Sequence, residues 1–363
     1  MTLCGTRPEL VRLSEVIRKL DQFTNHIFVH TNQSYDYELN QIFFDEMKIR
    51  KPDYLLNVKA DTVGKQIGNI LSQCEEVMLK EKPDAVVILG DTNSALSCII
   101  AKRLRIPIFH LEAGNRCFDN RVPEEINRRI VDHTSDVNVC YTEHARRNLL
   151  QEGLPTQNIF VLGTPLVEVY ARYKDDIASS KILEKLKISK DSFIVASIHR
   201  DENVNSEKAL RSIIEAFNTL VNKYNMPMIF SAHPRTRKKL DDYRLTLDER
   251  IILHRPMGMF DYVRLQQSAF VNLSDSGTIH EDAAIHNLPC VNIRESHERP
   301  EVYDVGGVVM SGLDTETIIK SVELVKCQVH FINPYIGSNF SDIFIRLVIG
   351  LSKLVIKRQY YAI

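Results

Sequence analysis

Four side chains in this chain have the types and positions for proton transfer: Asp91 in GDT, Glu112 in HLEAG, Glu124 in PEEINR and His199 in HRDEN. Carboxylates and imidazole are the usual general acids and bases. Each also has an ordinary reading. Asp91 could cap a helix, and His199 could be a satisfied core residue. Glu124 could complement a helix dipole with Arg128 one turn on as its ion-pair partner, and Glu125 reads as plain helix-start charge. A metal set drawn from Asp91, His110, Glu112 and His199 lacks any HxH, HExxH or DxD spacing, so no metal and no other cofactor is expected. No GxSxG elbow is present to supply a serine nucleophile.

A second group suits an anion. LSDSGTIHEDAA, residues 273–284, reads as strand, turn and helix. Asp275 or Ser274 is placed to cap that helix. Ser276 and Gly277 would expose backbone N–H groups where a helix carries partial positive charge. Gly277 would let a phosphate approach closely, and Glu281, four residues on, would accept from two ribose hydroxyls. GTRPE repeats the pattern near the amino terminus, with Pro8 in the first helical turn and Arg7 facing a phosphate. Neither the Rossmann GxGxxG nor the GxxxxGK[ST] loop occurs. A nucleoside diphosphate is therefore expected rather than a dinucleotide or a P-loop triphosphate. Carboxylates and a histidine beside such a site favour metal-free acid/base work.

These motifs need elements to hold them. Apolar strand runs at 1–4, 26–30, 84–89, 106–111, 137–140 and 159–162 alternate with helical patterns near 8–20, 35–48, 61–81, 92–103, 124–135 and 142–152. The alternation restarts with strands at 193–197, 227–231, 251–253, 269–273, 289–293 and 308–310, and helices near 204–224, 260–268, 277–287 and 314–328. Repeated βα units imply parallel sheets with right-handed crossovers. The expected fold is α/β, two Rossmann-like doubly wound domains facing a cleft. Residues 1–173 form the first domain and 174–335 the second, diphosphate-binding one. The segment 336–363 is an amphipathic helix expected to pack back toward the first. The polar stretch 172–192 reads as the connection between them. GTRPE, GDT, Glu112, HRDEN and SDSG all follow strands, and so sit on the ligand-binding edges of their sheets.

The composition agrees. A length of 363 residues favours two cores, and 44% hydrophobic with 26% charged residues is ordinary for a globular chain. A net charge of −1 supplies no field for nucleic acid or anionic membrane. Seven unpatterned cysteines suit reduced thiols and a cytoplasmic location. No signal peptide is apparent, and residues 343–356 carry Arg346 and Lys353, so membrane insertion is not expected.

GTRPE, GDT, HLEAG, PEEINR, HRDEN, SDSG and ERPE stand in the order seen in bacterial non-hydrolysing UDP-N-acetylglucosamine 2-epimerases, and the chain resembles that family from about residue 3 to 350. The resemblance implies a glycosyltransferase-B-like fold, a homodimer, and inversion at C2 of a UDP-N-acetylhexosamine without NAD or metal. UDP would be eliminated to a 2-acetamidoglycal and added back after proton delivery to the other face. Carried over, the acid/base set is Asp91, Glu112, Glu124 and His199. UDP contacts fall on Arg7, His199, Arg200, Ser276, Gly277, Glu281 and Arg299. The product would feed surface polysaccharide such as capsule or lipopolysaccharide.

Several departures stand out. The first strand is short, which is expected to weaken it as an edge strand. TNQSYD (31–36) replaces the family's TGQHYD, Asn69 stands where many relatives have an arginine for an allosteric UDP-GlcNAc, and SAHPR (231–235) replaces HxNP. With YELNQIFFDE and the compact NRCFDNRVPEE loop, these features resemble a sub-branch acting on UDP-2-acetamido-2,6-dideoxy-L-talose and forming UDP-N-acetyl-L-fucosamine. A glycosyltransferase of the same fold would keep the UDP site but tolerate Glu124→Gln. A UDP-sugar-binding protein without catalysis would bind and not turn over.

Overall fold

The computed structural model describes residues 1–32, 37–327, 330–335 and 337–360; Gln33, Ser34, Tyr35 and Asp36 of TNQSYD lie outside them. Contacts divide the chain into one unit of Met1–Arg172 with Tyr335–Ile363 and a second of Tyr173–Pro334.

The first unit is built on β1 (Thr2–Cys4), β2 (Phe28–His30), β3 (Tyr54–Leu55), β4 (Val86–Leu89), β5 (Ile108–Leu111), β6 (Val137–Cys140) and β7 (Ile159–Val161). They form one parallel sheet in the order β3-β2-β1-β4-β5-β6-β7. Val-Val-Ile-Leu of β4 is buried along its whole length, as a strand covered by helices on both faces must be. The short β1 is therefore no edge strand. It lies between β2 and β4, with Thr2 and Leu3 in register with Val87 and Ile88. Chain order reverses between β1 and β4, so the loops after them flank a topological switch point, where doubly wound sheets hold ligands.

The second unit repeats the plan with β8 (Ile194–Ser197), β9 (Met228–Ser231), β10 (Ile251–His254), β11 (Val271–Ser274), β12 (Cys290–Asn292) and β13 (Val309–Met310), in parallel order β10-β9-β8-β11-β12-β13. Its switch point lies between β8 and β11. The Glu207–Tyr224 helix shows why this layer forms. Ser206 accepts from the Ala209 N–H, and Asn225 ends the helix in the left-handed region. Leu210, Ile213, Ile214, Phe217, Leu220 and Val221 form one buried stripe against the sheet.

Some elements differ from the sequence expectation. The polar stretch 172–192 carries short helices for which the sequence reading assigns no pattern. They are Lys174–Ser179 and Ile182–Leu186, anchored by buried Ile177 and Ile182. The helix after Asp91 opens as a 3-10 turn, Asn93–Ser97, before Cys98–Arg103 becomes α-helical. Short helices at Pro234–Asp242 and Pro300–Asp304 begin on prolines, which supply the fixed φ of a first turn but no apolar periodicity. The Phe340–Tyr360 helix belongs to the first unit, where Phe344 meets Phe109 edge-on at 6.3 Å. No helix among the described residues is long and apolar enough to cross a membrane.

Candidate active site

In the first unit the loops after β1, β4 and β5 converge through buried polar contacts. Glu9, in the first turn of the Arg7–Phe23 helix, accepts from the Gly5 N–H at 3.1 Å and the Thr6 hydroxyl at 2.7 Å. Its other oxygen accepts from the Thr92 hydroxyl at 3.1 Å. One carboxylate thus ties the GTRPE loop to the GDT loop. Burial pushes this carboxyl up to about 7, more than the Thr6, Gly5 and Thr92 hydrogen bonds pull it down. Sequence reading passed over Glu9, although Thr6-x-x-Glu9 has capping-box spacing. Arg7 stands next to it, half-buried, 5.8 Å from the centre of the Phe43 ring.

Asp91 follows β4 and receives Arg128 side-on, with Nε and Nη2 each 2.8 Å from Oδ2. Arg128 is buried and comes from the Glu124–Thr134 helix. The same helix supplies Asn127, which donates to the Asp91 carbonyl at 2.9 Å. Arg128 is therefore not the partner of Glu124. Its second carboxylate is Glu125, at 3.0 Å.

Glu125 is likewise not plain helix-start charge. It is buried and also accepts from the N–H groups of Cys117 and Phe118, at 3.0 and 3.2 Å. Burial works to raise its carboxyl, but the Cys117 N–H and Arg128 outweigh that and hold it below the usual range. Glu125 thus folds the 115–123 loop and aims Arg128 at Asp91. Glu124, its half-buried neighbour, makes no side-chain hydrogen bond or ion pair among the described residues.

Glu112 ends β5 with φ 67°, a left-handed conformation that costs a non-glycine residue roughly 1 kcal/mol. Tyr141 donates its hydroxyl to Oε2 at 3.1 Å, Arg12 Nε lies 3.6 Å from the same oxygen, and Asn115 Nδ2 donates to Oε1 at 3.4 Å. Oε2 also lies 3.9 Å from where a Cβ on Gly90 would stand, which puts Glu112 beside the Asp91 loop. Beneath it His110 bridges the Gly90 carbonyl, 2.9 Å from Nε2, and Asp132, 2.9 Å from Nδ1. Asp132 in turn accepts from the Gly114 N–H and from Arg116. His110 is thus a support for the loop. Among the described residues no group of three or more His, Cys, Asp or Glu is arranged to hold a metal ion.

In the second unit Asp275 organises the switch point. It does not cap the Thr278–His286 helix, whose N-cap is Gly277 with no side-chain hydrogen bond. Fully buried, it accepts from the N–H groups of His199 and Arg200 at 3.0 and 2.9 Å and from Asn203 Nδ2 at 3.1 Å. It also lies 3.0 Å from His199 Nδ1. Burial alone would raise this carboxyl, but the charge and hydrogen bonds of His199 and the Arg200 N–H hold it below the usual range. His199 keeps 45% of its side chain exposed.

Ser276 and Gly277 lie at the helix start as expected, with the Ser276 N–H donating to Ser274 Oγ at 3.0 Å. Glu281 and Arg299, both assigned to UDP from sequence, are buried and paired with each other at 3.2 Å. They present almost no surface and brace the helix from within. Gly277 has φ −63°, so its need is spatial: a Cβ there would lie 2.4 Å from Glu298 Oε1. The space read as room for a phosphate is occupied by a carboxylate.

Two parallel, doubly wound units with polar groups gathered at their switch points, and no dinucleotide loop, match a particular set of known proteins. A family model described as UDP-N-acetylglucosamine 2-epimerase matches residues 18–342. The chain belongs to the UDP-N-acetylglucosamine 2-epimerase family. It is an isomerase of that type. A UDP-N-acetylglucosamine 2-epimerase of Methanococcus maripaludis is 37% identical over 367 residues, covering 97% of this chain and 98% of its own. The structure of UDP-N-acetylglucosamine 2-epimerase from Rickettsia bellii superposes with a TM-score of 0.92 at 46% identity, over 99% of this chain and 98% of that one. The Methanocaldococcus jannaschii enzyme, solved in complex with UDP-GlcNAc and UDP, superposes at 0.91 and 35% identity, over 96% and 99%. A UDP-forming trehalose-phosphate synthase from Burkholderia vietnamiensis, 11% identical, shares the glycosyltransferase-B-like fold alone, with a TM-score of 0.56. The epimerase thus has the fold expected from its strand-and-helix alternation.

Proposed function

We propose that the chain inverts C2 of UDP-N-acetylglucosamine to give UDP-N-acetylmannosamine. The supporting observation is the linked set Asp91, Arg128, Glu125 and Glu112 at the ends of β4 and β5, in a chain of this epimerase family. The C2–H of the sugar is adjacent to no ring carbonyl, so direct deprotonation is prohibitive. Breaking the C1–O bond builds positive character at C1 and makes that hydrogen acidic. UDP departs with the C1–O electron pair, a carboxylate takes the C2 proton, and the C2–H pair becomes the double bond of a 2-acetamidoglycal. A proton then enters from the opposite face and the UDP oxygen re-forms the bond to C1.

The second unit stabilises departing UDP through His199, Arg200 and the Ser276–Gly277 turn. Asp91, Glu112 and Glu124 carry the protons, with at least two of them needed to serve two faces. The reading extends to a cytoplasmic homodimer that supplies surface-polysaccharide synthesis.

Sugar choice needs its own test. A UDP-2,3-diacetamido-2,3-dideoxy-D-glucuronate 2-epimerase of Pseudomonas aeruginosa is 36% identical, nearly as similar as the M. maripaludis enzyme. Purified protein incubated in D₂O with UDP-GlcNAc should give UDP-ManNAc carrying deuterium at C2, without accumulation of free UDP. The same incubation with UDP-2-acetamido-2,6-dideoxy-L-talose tests the L-fucosamine sub-branch. Exchange on neither of these sugars nor on UDP-2,3-diacetamido-2,3-dideoxy-D-glucuronate would sink the C2-epimerase reading.

A further inference from the structure

The anion seat of the second unit contains a group that no sequence motif predicted. Arg294 follows β12, so it stands on the carboxyl edge next to the end of β11 and the start of the Thr278–His286 helix. Its side chain is 1% exposed, and Nη1 donates to Glu298 Oε2 at 3.0 Å. Among the described residues, Nε and Nη2 are buried with no hydrogen-bond partner. Leaving a buried charged donor unsatisfied is unfavourable, and native proteins rarely tolerate it without a reason.

Glu298 supplies that reason. One oxygen binds Arg294, while the other occupies the Cβ space of Gly277 and lies 3.7 Å from Arg200 Nη2. A carboxylate between two guanidiniums at a helix N-terminus has the partners that a phosphate would have. The neighbouring imidazole adds no cation. His280 is lowered to about 4 by burial and is engaged by Tyr303 at 2.8 Å and by the Gly277 carbonyl at 2.9 Å. Glu281 and Arg299 cancel each other. The charges that face Glu298 are therefore Arg200 and Arg294, with Asp275 holding the Arg200 backbone from behind.

We infer that Arg294 is a further residue for the diphosphate, and that Glu298 occupies the phosphate position at the helix start until the ligand displaces it. This rests on the UDP-binding reading above. On displacement the idle donors of Arg294 turn to phosphate oxygens, and Arg200 exchanges one anion for another. A glycine at 277 is needed by both occupants, because any side chain there would exclude carboxylate and phosphate alike.

Calorimetric titration of the full chain with UDP tests the exchange. Glu298→Gln removes the competing charge and is expected to tighten UDP about tenfold, whereas Arg294→Met should weaken it at least about tenfold. Arg294→Lys keeps the charge but not the fork, and should still lose several-fold. A well-folded Glu298→Gln with unchanged or weaker UDP affinity would show that Glu298 is a structural clip, and would overturn the exchange. If Glu298→Gln fails to fold, wild-type affinity in both Arg294 variants overturns it equally. Wild-type protein that does not bind UDP at all would instead defeat the underlying UDP reading.

Discussion

At the ends of β4 and β5, Asp91 and Glu112 keep 24% and 14% of their side-chain surface, and the cations Arg128 and Arg12 stand buried behind them. At the ends of β8 and β11 the order is reversed. Asp275 and Glu281 are enclosed, and His199 and the turn at Ser276–Gly277 are among the polar groups left outward. The two sheets share a topology and a ligand-binding edge, yet Asp91 and Glu112 keep access at one switch point while Asp275 and Glu281 are closed off at the other. A carboxylate that exchanges protons needs access. A carboxylate that holds a histidine or a row of N–H groups in place works best away from water, where its hydrogen bonds face no competition.

The contrast can be attacked first where the effect is largest. Glu112→Gln keeps the shape and one acceptor oxygen for Tyr141, loses the acceptor that faces Asn115, and cannot take a proton. Its kcat should fall by about 10²- to 10⁴-fold while UDP affinity and melting temperature stay close to wild type. Turnover within tenfold of wild type would remove Glu112 from the proton path.

The next test compares neighbours. Glu125→Ala leaves Arg128 and two loop N–H groups without their carboxylate, and should cost about 3 kcal/mol in urea unfolding, with lost turnover through Asp91. Glu124→Ala should stay within about 0.5 kcal/mol in the same assay and still lose C2 exchange. Equal stability losses would erase the distinction between supporting and working carboxylates.

A smaller effect belongs to Glu9, an enclosed acid that ties two loops of the first unit together. Its carboxyl is raised from 4.5 to about 7, so the folded chain holds its proton more tightly than the unfolded chain does. Stability from this group is full below pH 4.5 and falls as pH rises toward 7, by up to about 3 kcal/mol. Glu9→Gln lacks this dependence. The wild-type advantage over the variant should therefore shrink from pH 5 to pH 8. A pH-independent difference would place Glu9 among ordinary ionised carboxylates.

Much of the site's placement was legible from sequence because strand ends and motifs are local. Asp91, Glu112, His199 and Ser276–Gly277 all sit where alternating apolar runs stop and helices start. Glu9 was legible in principle through its capping-box spacing. Glu125 was not, since PEE offers two adjacent acids and nothing local says which one turns inward. The roles of Asp275 and Glu298 were also hidden. Each depends on partners that the chain brings back from elsewhere: Asp275 meets Arg200 across 75 positions, and Glu298 fills the space left by Gly277.

What the sequence alone determined is the two-sheet α/β plan, the family, and the edges on which polar groups collect. Apolar periodicity and turn residues act over a few positions and survive reading one residue at a time. Only tertiary structure decided which acids keep exposed surface and which are enclosed among hydrogen-bond donors. Burial and ion pairing arise between segments far apart in the chain, and desolvation acts on a charge only once those segments have closed around it.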